Sequence, residues 1–399
     1  MKYLVVFILL QFLIFYNGVL QAQWVPTGPA GDYVFSLAVS GTNTFAGTSV
    51  GFYLSTNNGT GWGAKNDSLT NTYVRSLAVI GTNIFAGTNG GVFLSTDNGT
   101  NWKLANNGMT GGAVYALTVS GTNLFAGPLN GGVYLSTNNG TNWTQVGMTN
   151  KYVISLTVSG TNIFAGTDLT GVYLSTNNGT NWTQVINGLT NLYIHSLTAS
   201  GTNIFAGTDV HGVFLSTNNG TNWTHVGLDS NNVYSLTVSG TTIFAGTATG
   251  GVFFSKNNGL TWVQRISGMT TLNVISLIAN GTTIFAGTFG GGVFTRLLSE
   301  LTGVSKEVKD LPQEFTLFQN YPNPWNPTTT INYSIAKDGN VKLTVYNAIG
   351  SKVAAIINEY KPAGNYSVQF NGNNLASGIY LYRLESGNYS AAKKFILMK

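Results

Sequence analysis

Few residues in this 399-residue chain can do chemistry, and their types restrict what that chemistry can be. Between Trp24 and Arg296 there are six Asp, three Arg and four Lys, with no Glu. Glycoside hydrolysis needs two carboxylates facing each other across the scissile bond. Here that pair can only be Asp with Asp, and Asp168 and Asp209 qualify because they hold the same slot in neighbouring copies of a repeat. The competing reading makes them exposed turn formers. His195, His211 and His225 raise a metal site, but one opens a strand, one sits in a loop and one lies in an outer strand, so convergence is not expected. Cysteine is absent, which removes thiol catalysis, Cys metal sites and disulfides. No cofactor and no metal are expected. A further group is aromatic: Tyr33, Tyr73, Tyr152 and Tyr193 immediately precede strands, and Phe35, Arg75, Tyr115, His195 and Tyr234 are second in theirs.

The elements that must position these residues repeat. Phe-Ala-Gly begins at Phe45, Phe85, Phe125, Phe164, Phe205, Phe244 and Phe285, at steps of 39 to 41 residues, in the length range of a propeller blade. Each copy reads as four short strands separated by Gly, Asn and Asp turns; in the fourth these are Val153 to Val158, Asn162 to Gly166, Gly171 to Ser175 and Trp182 to Val185. Seven copies predict an all-β, seven-bladed β-propeller spanning 23–296.

The ends of the repeat support a closed ring. Trp24-Val25-Pro26-Thr27-Gly28 resembles a fourth strand such as Trp143-Thr144-Gln145-Val146-Gly147 with no third strand before it, whereas the last copy stops after Gly292-Val293-Phe294. Pairing the orphan strand with the incomplete copy removes both open sheet edges. An open solenoid needs no such complementary ends.

In an antiparallel meander successive turns alternate between the two ends of the sheet. The first and third turns, Gly-Thr-Asn and Asn-Asn-Gly-Thr, are nearly invariant among the copies. The other pair varies, with Asn89, Asp168, Asp209 with His211, and Phe289 in equivalent places. The candidate binding face is therefore the variable one: Tyr33, Phe35, Tyr73, Arg75, Tyr115, Tyr152, Asp168, Tyr193, His195, Asp209, His211 and Tyr234. The alternative is that these side chains pack between blades.

The third turn carries a resemblance. Ser55-Thr56-Asn57-Asn58-Gly59-Thr60-Gly61-Trp62 and Ser95-Thr96-Asp97-Asn98-Gly99-Thr100-Asn101-Trp102 recur with Trp143, Trp182, Trp223 and Trp262. The pattern resembles the Asp-box (BNR, sialidase-like) of several propeller families, except that Asn57, Asn138, Asn177, Asn218 and Asn257 replace the acid and only Asp97 keeps it. An Asn still caps an Asx-type turn, and the resemblance implies a structural turn away from any active site. A sialidase would also bring an arginine triad and a Tyr–Glu nucleophile pair, and Arg75, Arg265 and Arg296 lie at unmatched places in their copies.

Before the repeat, residues 1–22 read as a signal peptide: Lys2, an apolar run from Leu4 to Phe15, and Leu20-Gln21-Ala22. The run is shorter than the roughly 20 residues of a spanning helix, so no transmembrane span is expected. The formal net charge of +5 lies mainly after residue 296, where nine Lys and one Arg meet five Glu and two Asp. The repeat region has no concentrated basic stripe, so no nucleic acid is expected as a partner.

After a polar linker, 297–312, the pattern changes. Residues 313–399 read as a small antiparallel β-sandwich of Ig-like type. Asn320-Tyr321-Pro322-Asn323-Pro324, Ser377-Gly378-Ile379-Tyr380 and the basic end from Lys393 resemble the C-terminal sorting domain of type IX secretion substrates. The resemblance implies passage through the periplasm, recognition by the outer-membrane export machinery and an extracellular or cell-surface destination. The chain as a whole reads as a non-enzymatic propeller presenting a binding face to a polysaccharide or protein partner. The alternatives are a glycan hydrolase with an atypical site and a purely structural surface component.

Overall fold

A computed structural model describes residues 23–302, 314–362 and 364–399, so the expected signal peptide lies outside the described residues. The chain divides into two compact units, one ending at Gly303 and one beginning at Val304.

Among the described residues the first unit contains seven four-stranded antiparallel sheets, six of them simple meanders. The seventh recruits Val25–Pro26 beside Val293–Leu297, pairing Val25 with Thr295 and Pro26 with Phe294. Trp24 anchors this closing strand. It is fully buried, its backbone nitrogen donates to Ser267 O at 2.7 Å, and its indole Nε1 donates to Arg265 O at 2.8 Å. Inner strands of consecutive sheets lie side by side, and the last, Val274–Asn280, returns to the first, Val34–Ser40. At that join Ser276 Oγ donates to Val34 O at 2.7 Å.

The repeat motif shows why the sheets stack. Each Phe of Phe-Ala-Gly is fully buried, and the core clusters draw residues from adjacent sheets, as where Phe45 and Phe52 pack with Val74, Ile84 and Trp102. The Gly that follows is required by proximity. A Cβ on Gly207 would lie 2.6 Å from Val233 O, and one on Gly87 would lie 2.8 Å from Val114 O, both on the next sheet.

The invariant turns are built on side chains. In six of them a Ser hydroxyl, as in Ser55, donates to the Asn or Asp two residues on at 2.8–3.0 Å and accepts the Gly amide at 2.8–2.9 Å. The same Asn or Asp oxygen accepts a second amide at 2.9 Å in each. An amide serves as well as a carboxylate here, because every contact on that oxygen is accepted. The Trp that follows ties one sheet to the previous one: Trp102, Trp143, Trp223 and Trp262 donate to Lys65, Ala105, Val185 and Val226 carbonyls at 2.8–2.9 Å. The Nε1 atoms of Trp62 and Trp182 are buried without such a bond.

The first unit continues past Arg296, where sequence placed its end. The last strand runs to Leu297, a short helix follows over Leu298–Thr302, and Leu301 is 1% exposed in the same cluster as Trp24 and Phe294. The polar linker reading missed that Leu298 and Leu301, three residues apart, both pack on this cluster.

The second unit pairs a three-stranded sheet, Thr316–Leu317, Thr328–Ile335 and Gly364–Asn371, with a four-stranded one, Gly339–Asn347, Lys352–Lys361, Gly378–Ser386 and Tyr389–Leu397. Trp325, Tyr333, Tyr382 and Phe395 form its core. The Asn-Tyr-Pro-Asn-Pro segment is structural. Asn320 is 2% exposed and donates from Nδ2 to Pro322 O and Thr329 Oγ1. Asn323 Oδ1 accepts Ile396 N at 2.9 Å, which ties the segment to the final strand.

Candidate functional site at the channel mouth

Every inner strand carries a β-bulge at the same place. Val34 pairs with Thr48 and Ser36 with Gly47, so Phe35 has no partner; the same skip leaves out Arg75, Tyr115, Ile154, His195, Tyr234 and Ile275. A bulge turns its extra residue out of the ladder and re-aims the side chain. Here all seven line one cavity of about 210 Å³. The next two positions along each strand add a ring of Ser, interrupted by Ala116, and a ring of Leu37, Leu77, Leu117, Leu156, Leu197, Leu236 and Leu277, of which the last four are buried in the core clusters. The result is an open cup, uniform in residue type deeper in and varied at the rim.

A second set of residues completes the rim. The first residue after each second strand is held by a backbone bond to the segment before its own inner strand: Asn89 N to Tyr73 O, Asp168 N to Tyr152 O, Asp209 N to Tyr193 O and Phe289 N to Asn273 O. One rule thus brings the preceding residue, the bulge residue and the turn residue of each sheet together.

Two sectors result. In the first, Arg75 Nε donates to Asn89 Oδ1 at 2.6 Å while its guanidinium carbon sits 4.6 Å from the Tyr73 ring centre and 4.4 Å from that of Tyr115. Phe35 packs on Tyr73 at 4.9 Å. In the second, His195 Nε2 meets Asp209 Oδ1 at 3.3 Å, with Tyr193 and Tyr234 rings 4.6 and 4.8 Å from the imidazole. Asp168 lies near both sectors, and its Oδ1 is enclosed with no hydrogen-bond partner.

Burial governs the electrostatics. It pushes the His195 imidazole below its ordinary pKa, with the nearby Asp209 carboxylate opposing. Burial also raises the Tyr193 hydroxyl, reinforced by Asp168 and Asp209. Tyr152 is raised by burial and then by Tyr115 and Asp168, with Arg75 opposing. Both phenols are therefore hydrogen-bond donors at neutral pH.

Of the residues expected from sequence, Phe35, Arg75, Tyr115, His195 and Tyr234 line the cup. Tyr73, Tyr152, Asp168, Tyr193 and Asp209 adjoin them. Tyr33 stacks on Phe289 at 3.9 Å and meets Phe35 edge-on at 6.4 Å. His211 is exposed and contacts Asn191 Nδ2 at 3.2 Å, and His225 pairs with Asp229 at 3.2 Å on an outer strand. Among the described residues no group of three or more His, Asp or Glu is arranged to hold a metal. Sequence reasoning missed Ile154 and Ile275 on the rim, and it placed Asn89 and Phe289 in the variable loops without assigning them a role. Counting the second residue of every inner strand, not only the aromatic or charged ones, finds the first two.

Residues 319–398 match the family described as secretion system C-terminal sorting domain. The second unit is that sorting domain. Residues 160–273 match the DUF6242 beta propeller domain. No curated protein gives a significant sequence match. Among solved structures, PorZ of Porphyromonas gingivalis, described as an essential bacterial surface component of the type-IX secretion system, is 15% identical with a TM-score of 0.56. The match covers 92% of this chain and 60% of PorZ. YCF48 from Cyanidioschyzon merolae is 14% identical with a TM-score of 0.57, covering 70% of this chain and 99% of that one. The GH74 xyloglucanase from Xanthomonas campestris is 14% identical with a TM-score of 0.60, covering 78% of this chain and 59% of the enzyme. At these identities the shared property is the β-propeller fold.

Proposed function

We propose that the chain is an exported surface protein whose β-propeller, of seven blades, presents the bulged mouth of its channel to a polysaccharide or protein partner, and that the sorting domain takes it to the cell surface by the type IX route. The observation that carries the reading is the coincidence of seven bulges with the only variable ring of an otherwise uniform cup. A scaffold alone has no need to differ there, whereas recognition does. The six side-chain-built turns are Asp-box turns with Asn in five of six acidic positions, and their role is structural.

Non-enzymatic binding is favoured over hydrolysis because the rim acids are not poised as a pair. Asp209 is engaged with His195 at 3.3 Å, whereas a glycosidase needs two carboxylates facing the scissile bond.

The test screens the full mature chain against a glycan array and surface extracts, beside a broad glycosidase assay. Selective retention that is lost when Tyr73, Tyr152 and Tyr193 are together replaced by Ala supports the binding face. Turnover of any glycan refutes it in favour of an enzyme, and absence of both retention and turnover favours a structural component. For the export route, a chain lacking residues 313–399 is expected to remain in the periplasm, and its normal release overturns that part.

A further inference from the structure

The four-stranded sheet of the second unit has one face in the core and one turned away from it. Val345, Tyr382, Leu384 and Phe395 are buried in the core cluster. Side chains alternate along a strand, so Tyr346, Ile379, Leu381 and Ile396 face outward. The register sets them in two adjoining rows. One runs straight across the sheet as Lys352, Tyr346, Leu381 and Lys394, and in the next Ile379 lies opposite Ile396. Ile379 is 49% exposed and Leu381 39%. At the same end of the sheet stand Met398, just past the pairing of Leu397 with Gly378, and Ile349, in the turn after Asn347, both exposed. The outward face of such a sheet is ordinarily polar, and a contiguous apolar patch there marks an interaction site. The side-chain charges around it are of one sign. Lys352 and Lys394 close the row at its two edges, and the stretches 346–352, 376–382 and 393–398 that build this end hold no Asp or Glu. Glu385 lies farther along the sheet and is paired with Arg383 at 2.9 Å.

We propose that this end of the sorting domain docks on an anionic lipid surface, with its aliphatic side chains among the headgroups and Lys352 and Lys394 meeting the negative charge. Two observations choose this occupant. The centre of a protein interface is enriched in aromatic residues and Arg and depleted of Lys. This patch is mainly aliphatic with Lys at its border, the combination by which surface segments hold to anionic membranes. A second copy of the chain would bring lysines against lysines with no acid at this end to meet them. The proposal concerns the second unit alone and does not rest on reading the channel mouth as a binding face.

The experiment measures cosedimentation of the full mature chain with vesicles of phosphatidylcholine alone and of phosphatidylcholine mixed with phosphatidylglycerol. Three proteins are compared: the wild type, Ile379→Ser with Leu381→Ser, and Lys352→Gln with Lys394→Gln. All four positions are exposed, and thermal unfolding and near-ultraviolet circular dichroism check that each variant is folded. The wild type is expected to bind the mixed vesicles, to bind the neutral ones weaker by about tenfold or more, and to be released by salt. The lysine variant is expected to lose about fivefold per lysine, and the serine variant about tenfold. Absence of binding to the mixed vesicles, equal binding to the neutral ones, or a serine variant that binds as the wild type does overturns the proposal. A protein from surface extracts that is captured by the wild type and lost with the serine variant, while vesicles are not bound, overturns the lipid assignment in favour of a protein partner. A chain with Tyr73, Tyr152 and Tyr193 replaced by Ala is expected to bind vesicles undiminished. Loss of binding there moves vesicle binding to the channel mouth and overturns its assignment to the sorting domain.

Discussion

His195 Nε2 stands 3.3 Å from Asp209 Oδ1, the bulge residue of one sheet meeting the residue that follows its second strand. Arg75 and Asn89 occupy the same two positions in another sheet and meet at 2.6 Å. A single backbone device therefore holds either a fixed cation or a titratable pair.

The pair carries a pH dependence. Burial lowers the folded pKa of His195 below its unfolded value, so the unfolded chain binds the extra proton first as pH falls. The contribution to stability is complete above about pH 6.5 and is lost progressively below it. Asp209→Asn removes the opposing carboxylate and is expected to depress the imidazole further. An NMR titration of His195 in both proteins checks this, and a rise in the variant would contradict it.

Asp97 is the acidic exception among the six turn residues, and hydrogen bonds from Asn101 and Ser95 lower its pKa to about 2. A depressed carboxylate stabilises the fold above its unfolded pKa, and that contribution disappears as pH falls from about 4 toward 2. Asp97→Asn is expected to leave stability at neutral pH nearly unchanged, since five sister turns already use Asn. It should also flatten the melting temperature between pH 4 and pH 2, which scanning calorimetry across that range measures.

Trp24→Ala removes a fully buried indole and its bond to Arg265 O. The expected loss is about 3–5 kcal/mol in denaturant unfolding. Val25→Ala, at a side chain 50% exposed on the same strand, is expected to stay within about 0.5 kcal/mol.

Gly207→Ala puts a Cβ 2.6 Å from Val233 O, a backbone atom that cannot swing aside. A destabilisation of about 1–3 kcal/mol is expected. Gly207 also pairs with Ser196, next to the bulge at His195, so a shifted His195 resonance should accompany the loss.

Much of this architecture was legible because it repeats. Phe-Ala-Gly set the period, and the unpartnered Trp24-Val25 segment with the truncated last copy announced the closing strand. Turn parity placed the varied loops at one end. The bulges were not legible, because a skipped ladder partner leaves no residue type behind: Phe35, Arg75 and Ile154 share a position and no chemistry. Likewise, nothing in sequence distinguishes Asn89, which orients Arg75, from the Asn of a turn, and His211 shares a loop with Asp209 yet is exposed and meets Asn191 rather than lining the cup. Leu298 and Leu301 escaped notice because a five-residue helix is too short to show a helical period.

The missing ladder partner at each bulge has a consequence for engineering. Phe35, Arg75, Tyr115, Ile154, His195, Tyr234 and Ile275 contribute no pairing position to their sheets, while the residues on either side do. These codons are natural sites for randomisation: a combinatorial library restricted to them would vary the whole wall of the cup on one unchanged frame, much as hypervariable loops are varied on an antibody domain.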